Sequence, residues 1–239
     1  MKIHAVILAR GGSKAIPRKN VLDFCGFPLL AWTVNCALRC SAVESVWVST
    51  DDAEIAKVAH CYGAGIIERP DSISGDAASS ESALIHAASA IPKRIGLNPT
   101  HFFFLQPTSP LREVWELDQA VVMFQQQNLD SLFSAAPAED FCLWSRSENK
   151  LSSLNFDYRN RARRQDRPDS EVWIETGSFY ITSIEGLVNT GNRLHGKIGM
   201  QPVESWKAFE IDSPEGLELC RSIFSARLFN VVPHPENKI

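Results

Sequence analysis

Ile3-His4-Ala5-Val6-Ile7-Leu8-Ala9-Arg10-Gly11-Gly12-Ser13-Lys14 is the stretch that decides the fold. Its first six residues are a short apolar run, and Gly11-Gly12-Ser13 closes it. That is the pattern of a buried strand feeding a glycine loop. Working outward, residues 29–38 have helical spacing, with Leu30, Val34 and Leu38 on one stripe. Residues 46–49 read as a second strand ending at Thr50-Asp51-Asp52. Asp52 is placed to cap a helix that carries Ile55, Val58 and Ala59 inward. Residues 64–67 are a weak third strand, and Ser79 or Ser80 opens a helix reaching Ile91. His101-Phe102-Phe103-Phe104-Leu105 is apolar at almost every position, so it should be covered on both faces. Residues 113–127 are helical, with Leu117, Val121 and Phe124 inward, and 130–135 add a strand.

Strand alternating with helix specifies an α/β domain with a mostly parallel sheet between two helical layers. The pattern breaks at 137–168, which is polar and arginine-rich, and alternation returns at 178–182. The expected organisation is an α/β domain from 1–136 and 173–226, an inserted arm at 137–172 and an irregular tail at 227–239. An arm that long suggests function or assembly. Pro214 stands at the first position of a last helix that begins after Ser213.

A chain of 239 residues can bury a large core without disulfides. With 44% hydrophobic and 22% charged residues, wholesale disorder is excluded. The net charge of −4 argues against a general nucleic-acid binder but leaves room for one anionic ligand in a local basic pocket. The six cysteines form no Cys-x-x-Cys pair, so they read as small buried hydrophobes. The apolar residues 5–9 end at Arg10, too short for a signal peptide core or a membrane span, and a soluble cytoplasmic protein is expected.

Arg10, Lys14, Arg18 and Lys19 crowd the glycine loop of an otherwise acidic chain. Adjacent glycines let backbone amides approach an anion, and Ser13 adds a donor. The loop follows the first strand, the end where parallel sheets bind ligands. It is neither Gly-x-Gly-x-x-Gly nor a Walker loop. Gln106, Thr108 and Ser109 follow the strongest strand toward the same mouth, and Pro107 and Pro110 stiffen their turn. Arg112 can pair with a carboxylate or close an internal ion pair. Glu210 and Asp212 place two acids on one face of a short extended segment. Beside a polyphosphate they call for a cation, and hard oxygen ligands suit Mg²⁺. Arg159, Arg161, Arg163, Arg164 and Arg167 read as part of a surface arm rather than a nuclear localisation signal.

Leu8-Ala9-Arg10-Gly11-Gly12-Ser13-Lys14, with Lys19-Asn20, resembles the opening signature of the acylneuraminate cytidylyltransferases, also called CMP-sialic acid synthetases. Val48-Ser49-Thr50-Asp51-Asp52, Arg69-Pro70 with Ser79-Ser80, and Leu105-Gln106-Pro107-Thr108-Ser109-Pro110-Leu111-Arg112 continue the likeness. Arg164-Gln165-Asp166, Glu175-Thr176-Gly177-Ser178-Phe179-Tyr180 and Glu210-Ile211-Asp212 complete it in order, over about 1–222. Three departures stand out: Ala15 where the family usually has glycine, Thr176 where it has asparagine, and Glu210 where it often has aspartate.

The resemblance implies a three-layer, Rossmann-like nucleotidyltransferase fold with a dimerisation arm, and a homodimer. It implies transfer of CMP from CTP to the anomeric 2-hydroxyl of a nine-carbon 2-keto-3-deoxy (nonulosonic, sialic-type) sugar acid, with release of pyrophosphate. Arg10 and Lys14 would hold the triphosphate, with Gly11, Gly12, Ser13 and Lys19 around it. Asn20, Arg69 and Ser80 would read the cytosine and ribose, and Gln106, Phe179 and Tyr180 the sugar, beside Thr108 and Ser109. Asp212, with Glu210 near, would bind Mg²⁺. The alternatives are a 3-deoxy-octulosonate cytidylyltransferase, whose opening motif differs, and a nucleotide-binding protein without catalysis. No nucleic acid or membrane is expected as a partner.

Overall fold

In the computed structural model, which describes residues 1–96, 99–138, 141–148, 150–163 and 172–238, β1 (Ile3–Leu8) runs into the glycine loop. A small hairpin of β2 (Asp23–Phe24) and β3 (Phe27–Pro28) leads into α1 (Leu29–Arg39). Then come β4 (Val43–Thr50), α2 (Ala53–Cys61), β5 (Gly65–Glu68), α3 (Ser80–Ile95), β6 (His101–Leu105), α4 (Val114–Gln126) and β7 (Ser131–Pro137). A second hairpin, β8 (Trp144–Ser147) with β9 (Lys150–Ser153), forms its own two-stranded sheet. β10 (Trp173–Ser183), α5 (Ile184–Thr190), β11 (Ile198–Pro202) and α6 (Pro214–Arg227) complete the chain.

Seven strands form one sheet in the order β11-β7-β10-β6-β1-β4-β5. β1 pairs in parallel with β4 and β6, β4 with β5, and β7 with β11. β10 is antiparallel to both β6 and β7, so the sheet is mixed but mostly parallel. The carboxyl ends of β1, β4, β5 and β6 therefore open on one mouth. The reversed β10 brings the start of its span, Glu175 to Gly177, to that same side, with Glu175 opposite Ala135.

The uniformly apolar β6 is explained by two cores. Phe103 and Leu105 face one core with residues of α1, α2 and α4, among them Val34, Ile55 and Leu117. Phe102 and Phe104 face the other, with Leu84 and Ile91 of α3 and Leu187 of α5. Each fully buried side chain of this size contributes about 1.5–3 kcal/mol. A third cluster joins Phe24 of the small hairpin, Trp32 of α1 and Phe224 of α6.

The helix starts follow local chemistry. The Asp52 carboxylate accepts the amides of Glu54 and Ile55, Ser79 caps α3 through Ser82, and Ser213 caps α6 with Pro214 inside the first turn. α5 and β11 are elements that the sequence patterning did not mark. The tail beyond α6 lies against the domain, with Asn35 Nδ2 donating to the Pro233 carbonyl and the Lys238 amide to the Cys61 carbonyl. Arg164, Gln165, Asp166 and Arg167 lie outside the described residues. No helix among the described residues is long and apolar enough to cross a membrane.

Candidate active site

A cleft of about 310 Å³ opens at the mouth of the sheet. It gathers groups from five places along the chain. Arg10, Ser13, Lys14, Ala15, Lys19 and Asn20 come from the glycine loop and the turn after it. Ser80 comes from the first turn of α3, Gln106 and Thr108 from the turn after β6, and Asp212 from the approach to α6. Leu8 and Phe104 form apolar wall. The amino end of α3 thus meets the same space as three cations, an arrangement that favours an anion.

The glycine loop is held from behind. The Gly11 amide donates to Asp51 at 3.0 Å. A Cβ at Gly11 would stand 2.8 Å from an Asp52 carboxylate oxygen, so only glycine lets the loop lie this close. Gly12 has open space where its Cβ would be. The Asn20 side chain donates to the Arg10 carbonyl at 3.0 Å and closes the turn. Ala15 has a negative φ, so its Cβ is accommodated without strain, and Arg18 is the residue in the left-handed region, at φ 58.

The four loop cations separate into three settings. Arg10 and Lys14 share Asp76, at 3.1 and 2.5 Å, and Arg10 also donates to the Gly75 carbonyl. The Lys14 hydrogen bond leads in holding the Asp76 carboxyl below its usual range. Lys19 turns to the C-terminal segment, donating to the Ile211 carbonyl at 2.8 Å and to Asp212 at 3.1 Å. Arg18 leaves the cleft for Asp52 and Glu54. Asp76 escaped the sequence reading, although it lies between the two halves of the Arg69-Pro70 and Ser79-Ser80 block.

Arg69 is not among the residues that line the cleft; its guanidinium donates to the hydroxyl and carbonyl of Ser49 at 3.1 and 2.7 Å. Ser109 is buried, and its hydroxyl donates to the Thr176 carbonyl at 3.3 Å. Among the described residues, Arg112 closes no ion pair. Its buried guanidinium donates to the Ser178 hydroxyl and to the carbonyls of Gln106, Ser109 and Ser178, at 2.7–2.9 Å. A buried charge needs such bonds, and these fix the turn that presents Gln106 and Thr108.

Thr176 is buried and bonds Ser134 at 2.8 Å, so its side chain is part of the sheet. Phe179 packs edge-on to Phe103 in one core. Tyr180 stacks on Phe104 in the other and donates its hydroxyl to Glu175. Neither ring lines the cleft.

Glu210 lies behind Asp212, where Gly177 makes room. Gly177 has φ +62, and a Cβ there would collide with Oε1 of Glu210. Burial pushes the Glu210 carboxyl up to about 7, and the charge of Asp212 adds to the shift. Asp212 itself is largely exposed to the cleft, its side chain 73% accessible. Two adjacent acids with Lys19 as counter-charge fit a site that takes a cation together with an anionic ligand. Elsewhere, Glu113, Glu116 and Glu204 bring three carboxylate oxygens within 4.8 Å of one another, a donor set that could also hold a divalent ion. The Lys207 ammonium already bonds all three.

A mostly parallel sheet with helices on both faces and a cation-lined glycine loop at its mouth defines an α/β protein of the nucleotidyltransferase fold. The cytidylyltransferase family model matches residues 4–168, and the chain belongs to that family. It is 38% identical over 183 residues to an N-acylneuraminate cytidylyltransferase of Oncorhynchus mykiss, covering 75% of this chain and 40% of that protein. It is 40% identical over 187 residues to one from Escherichia coli O18:K1:H7, covering 75% and 43%. The chain thus spans less than half the length of these relatives. A pseudaminic acid cytidylyltransferase of Campylobacter jejuni is 34% identical over 187 residues, 76% of this chain and 78% of that one. Among solved structures, a CMP:2-keto-3-deoxy-manno-octonic acid synthetase complexed with CTP superimposes with a TM-score of 0.70. At 19% identity, over 95% of this chain and 100% of that one, it speaks for the fold alone.

Proposed function

We propose that this chain transfers CMP from CTP to the anomeric 2-hydroxyl of a nonulosonic acid, releasing pyrophosphate. One observation carries the reading: Arg10, Lys14, Ser80, Gln106 and Asp212, from separate parts of the chain, line one cleft. The sugar hydroxyl forms a bond to the α-phosphorus, the bond from that phosphorus to the β-phosphate bridge breaks, and the hydroxyl proton is released. Arg10 and Lys14 hold the triphosphate and then the departing pyrophosphate, so catalysis is mainly positioning and charge stabilisation. Gly11, Gly12, Ser13 and the start of α3 surround the phosphates. Asn20 and Ser80 face the nucleoside, and Arg69 braces the end of β4 through Ser49. Gln106 and Thr108 face the sugar, with Ser109, Phe179 and Tyr180 supporting the wall from beneath.

Asp212, with Glu210 behind it, would hold Mg²⁺, which when bound offsets triphosphate charge. Lys19 keeps Asp212 aimed at the cleft. The arm carries exposed Phe141, Leu143, Leu151 and Leu154, which support assembly as a homodimer through it.

The test is pyrophosphate release with CTP and Mg²⁺ against a panel containing N-acetylneuraminate, pseudaminic acid and 3-deoxy-octulosonate. Turnover with a nine-carbon acid is expected, and turnover with the eight-carbon acid alone would transfer the reading to the octulosonate class. Binding of CTP without turnover on any acid would leave a nucleotide-binding protein. Light scattering at the assay concentration reads the dimer, and full activity at the 26.6 kDa monomer mass would remove it.

A further inference from the structure

Two cleft-bearing segments meet, away from the cleft, at one ammonium. Lys207 lies in the 3-10 turn Ser205–Ala208 and is 1% exposed. Its Nζ is 2.7 Å from Glu113, 2.7 Å from Glu116 and 2.8 Å from Glu204. The rings of Trp115 and Trp206 cover it, with centroids at 5.3 and 4.9 Å. Glu113 caps α4 and Glu116 completes its capping box, directly after the turn that holds Gln106 and Thr108. On the other side, Glu210 and Asp212 follow Lys207 by three and five residues. Between the two segments the Ile211 amide donates to the Thr108 carbonyl at 2.8 Å. Lys207 does not line the cleft and has no part in the chemistry proposed above.

We infer that Lys207 is a positioning residue: its ammonium pins the segment carrying Glu210 and Asp212 against the turn carrying Gln106 and Thr108. Its effect on turnover rests on the proposed function, while the pin itself rests on geometry. Stability alone does not account for such a group. Burying one ammonium among carboxylates carries a large desolvation cost, and apolar side chains of similar volume often serve an interior equally well. An apolar plug, however, has no fixed direction. Lysine has three donors, and three carboxylate oxygens within 4.8 Å of one another give the ammonium a single seat. Sliding 204–212 along the turn breaks those bonds. Misplacing a site by about 1 Å costs on the order of 10²-fold in rate.

The test replaces the network by neutral groups: Lys207→Met with Glu113→Gln, Glu116→Gln and Glu204→Gln, in the full chain. Glutamine keeps the acceptors that cap α4. The variant should melt close to the wild type and keep its KM for CTP within about twofold, while kcat falls about tenfold or more. Amide exchange at Ile211 should speed up, because its partner carbonyl is no longer held in register. Lys207→Met alone leaves the three carboxylates facing one another, and Ca²⁺ should raise its melting temperature more than that of the wild type. If the neutral variant keeps both kcat and the protection of Ile211, Lys207 only fills space and the inference is overturned. Loss of kcat in step with stability, with Ile211 still protected, overturns it as well. If the wild type transfers no CMP, the functional reading fails by itself, and exchange at Ile211 still decides the pin.

Discussion

The ammonium of Lys19 stands 3.1 Å from a carboxylate oxygen of Asp212, a residue 193 positions further along the chain. The same group donates to the Ile211 carbonyl at 2.8 Å. The turn after the first strand and the approach to the last helix are thereby joined across the cleft floor. Lys19 is mostly buried and Asp212 mostly exposed, so the carbonyl bond carries the structural share and the ion pair aims the carboxylate. Lys19→Met should cost about 1–2 kcal/mol, read as a small fall in melting temperature. It should lower kcat more than it raises KM for CTP. An unchanged kcat would remove Lys19 from the site.

Asp76 and Lys14 should act in opposite directions. Asp76 neutralises Arg10 and Lys14 where a triphosphate would otherwise do so. Lys14→Ala should weaken binding of inorganic tripolyphosphate by about tenfold, the worth of one charged contact. Asp76→Asn should tighten it by removing the competing carboxylate. Both side chains are well exposed, so neither variant should melt differently from the wild type. Calorimetric titration of each variant with tripolyphosphate checks this, and equal affinity across the three proteins would place the phosphates elsewhere.

A pH dependence follows from Arg18 and Asp52. The Arg18 hydrogen bond, assisted by the amides of α2, holds the Asp52 carboxyl below its ordinary value of 3.8. A carboxyl depressed in the folded state gives stability that is fully present above the unfolded value and is lost as pH falls through the folded one. Asp52→Asn keeps the helix cap but removes the charge. The wild type should melt above the variant at pH 7, and the gap should close as pH falls below about 4. A gap that does not narrow as pH falls below about 4 would show that the ion pair is not its source.

The parts of this molecule legible in its sequence are those decided locally. The strand at 3–8, the glycine loop and the caps at Asp52, Ser79 and Ser213 depend on neighbours within a few residues. β11 was not legible because Ile198-Gly199-Met200-Gln201-Pro202 has no strong alternation, and its pairing with β7 makes it a strand. The direction of β10 depends on its pairing with β6 and β7, which no residue in it announces. Arg18 reads as a phosphate cation until the fold places Asp52 and Glu54 beside it. Phe179 and Tyr180 lie in a recognisable block, yet strand alternation sends their rings into the two cores. The contacts of Lys207 with Glu113 and Glu116, 94 and 91 residues away, have no signature in the sequence.

Two glycines at the site should respond in contrasting ways to a single methyl group. Gly177 holds φ +62, and its Cβ would strike the Glu210 carboxylate. Gly177→Ala combines about 1–2 kcal/mol of left-handed backbone cost with displacement of a half-buried acid. It should lower the melting temperature by several degrees and cut kcat. Gly12 is outside the left-handed region, and a Cβ there meets no atom within 4 Å. Gly12→Ala should therefore fold at least as well as the wild type, because alanine restricts the unfolded chain by about 0.4–1 kcal/mol. The loop faces the cleft, so the added methyl occupies the approach that a phosphate needs to reach the backbone amides. Binding of CTP should weaken severalfold while the melting temperature of the free protein stays level or rises. Direct titration with CTP beside thermal melting separates the two effects. If Gly12→Ala binds CTP as tightly as the wild type, the phosphates do not lie against this loop.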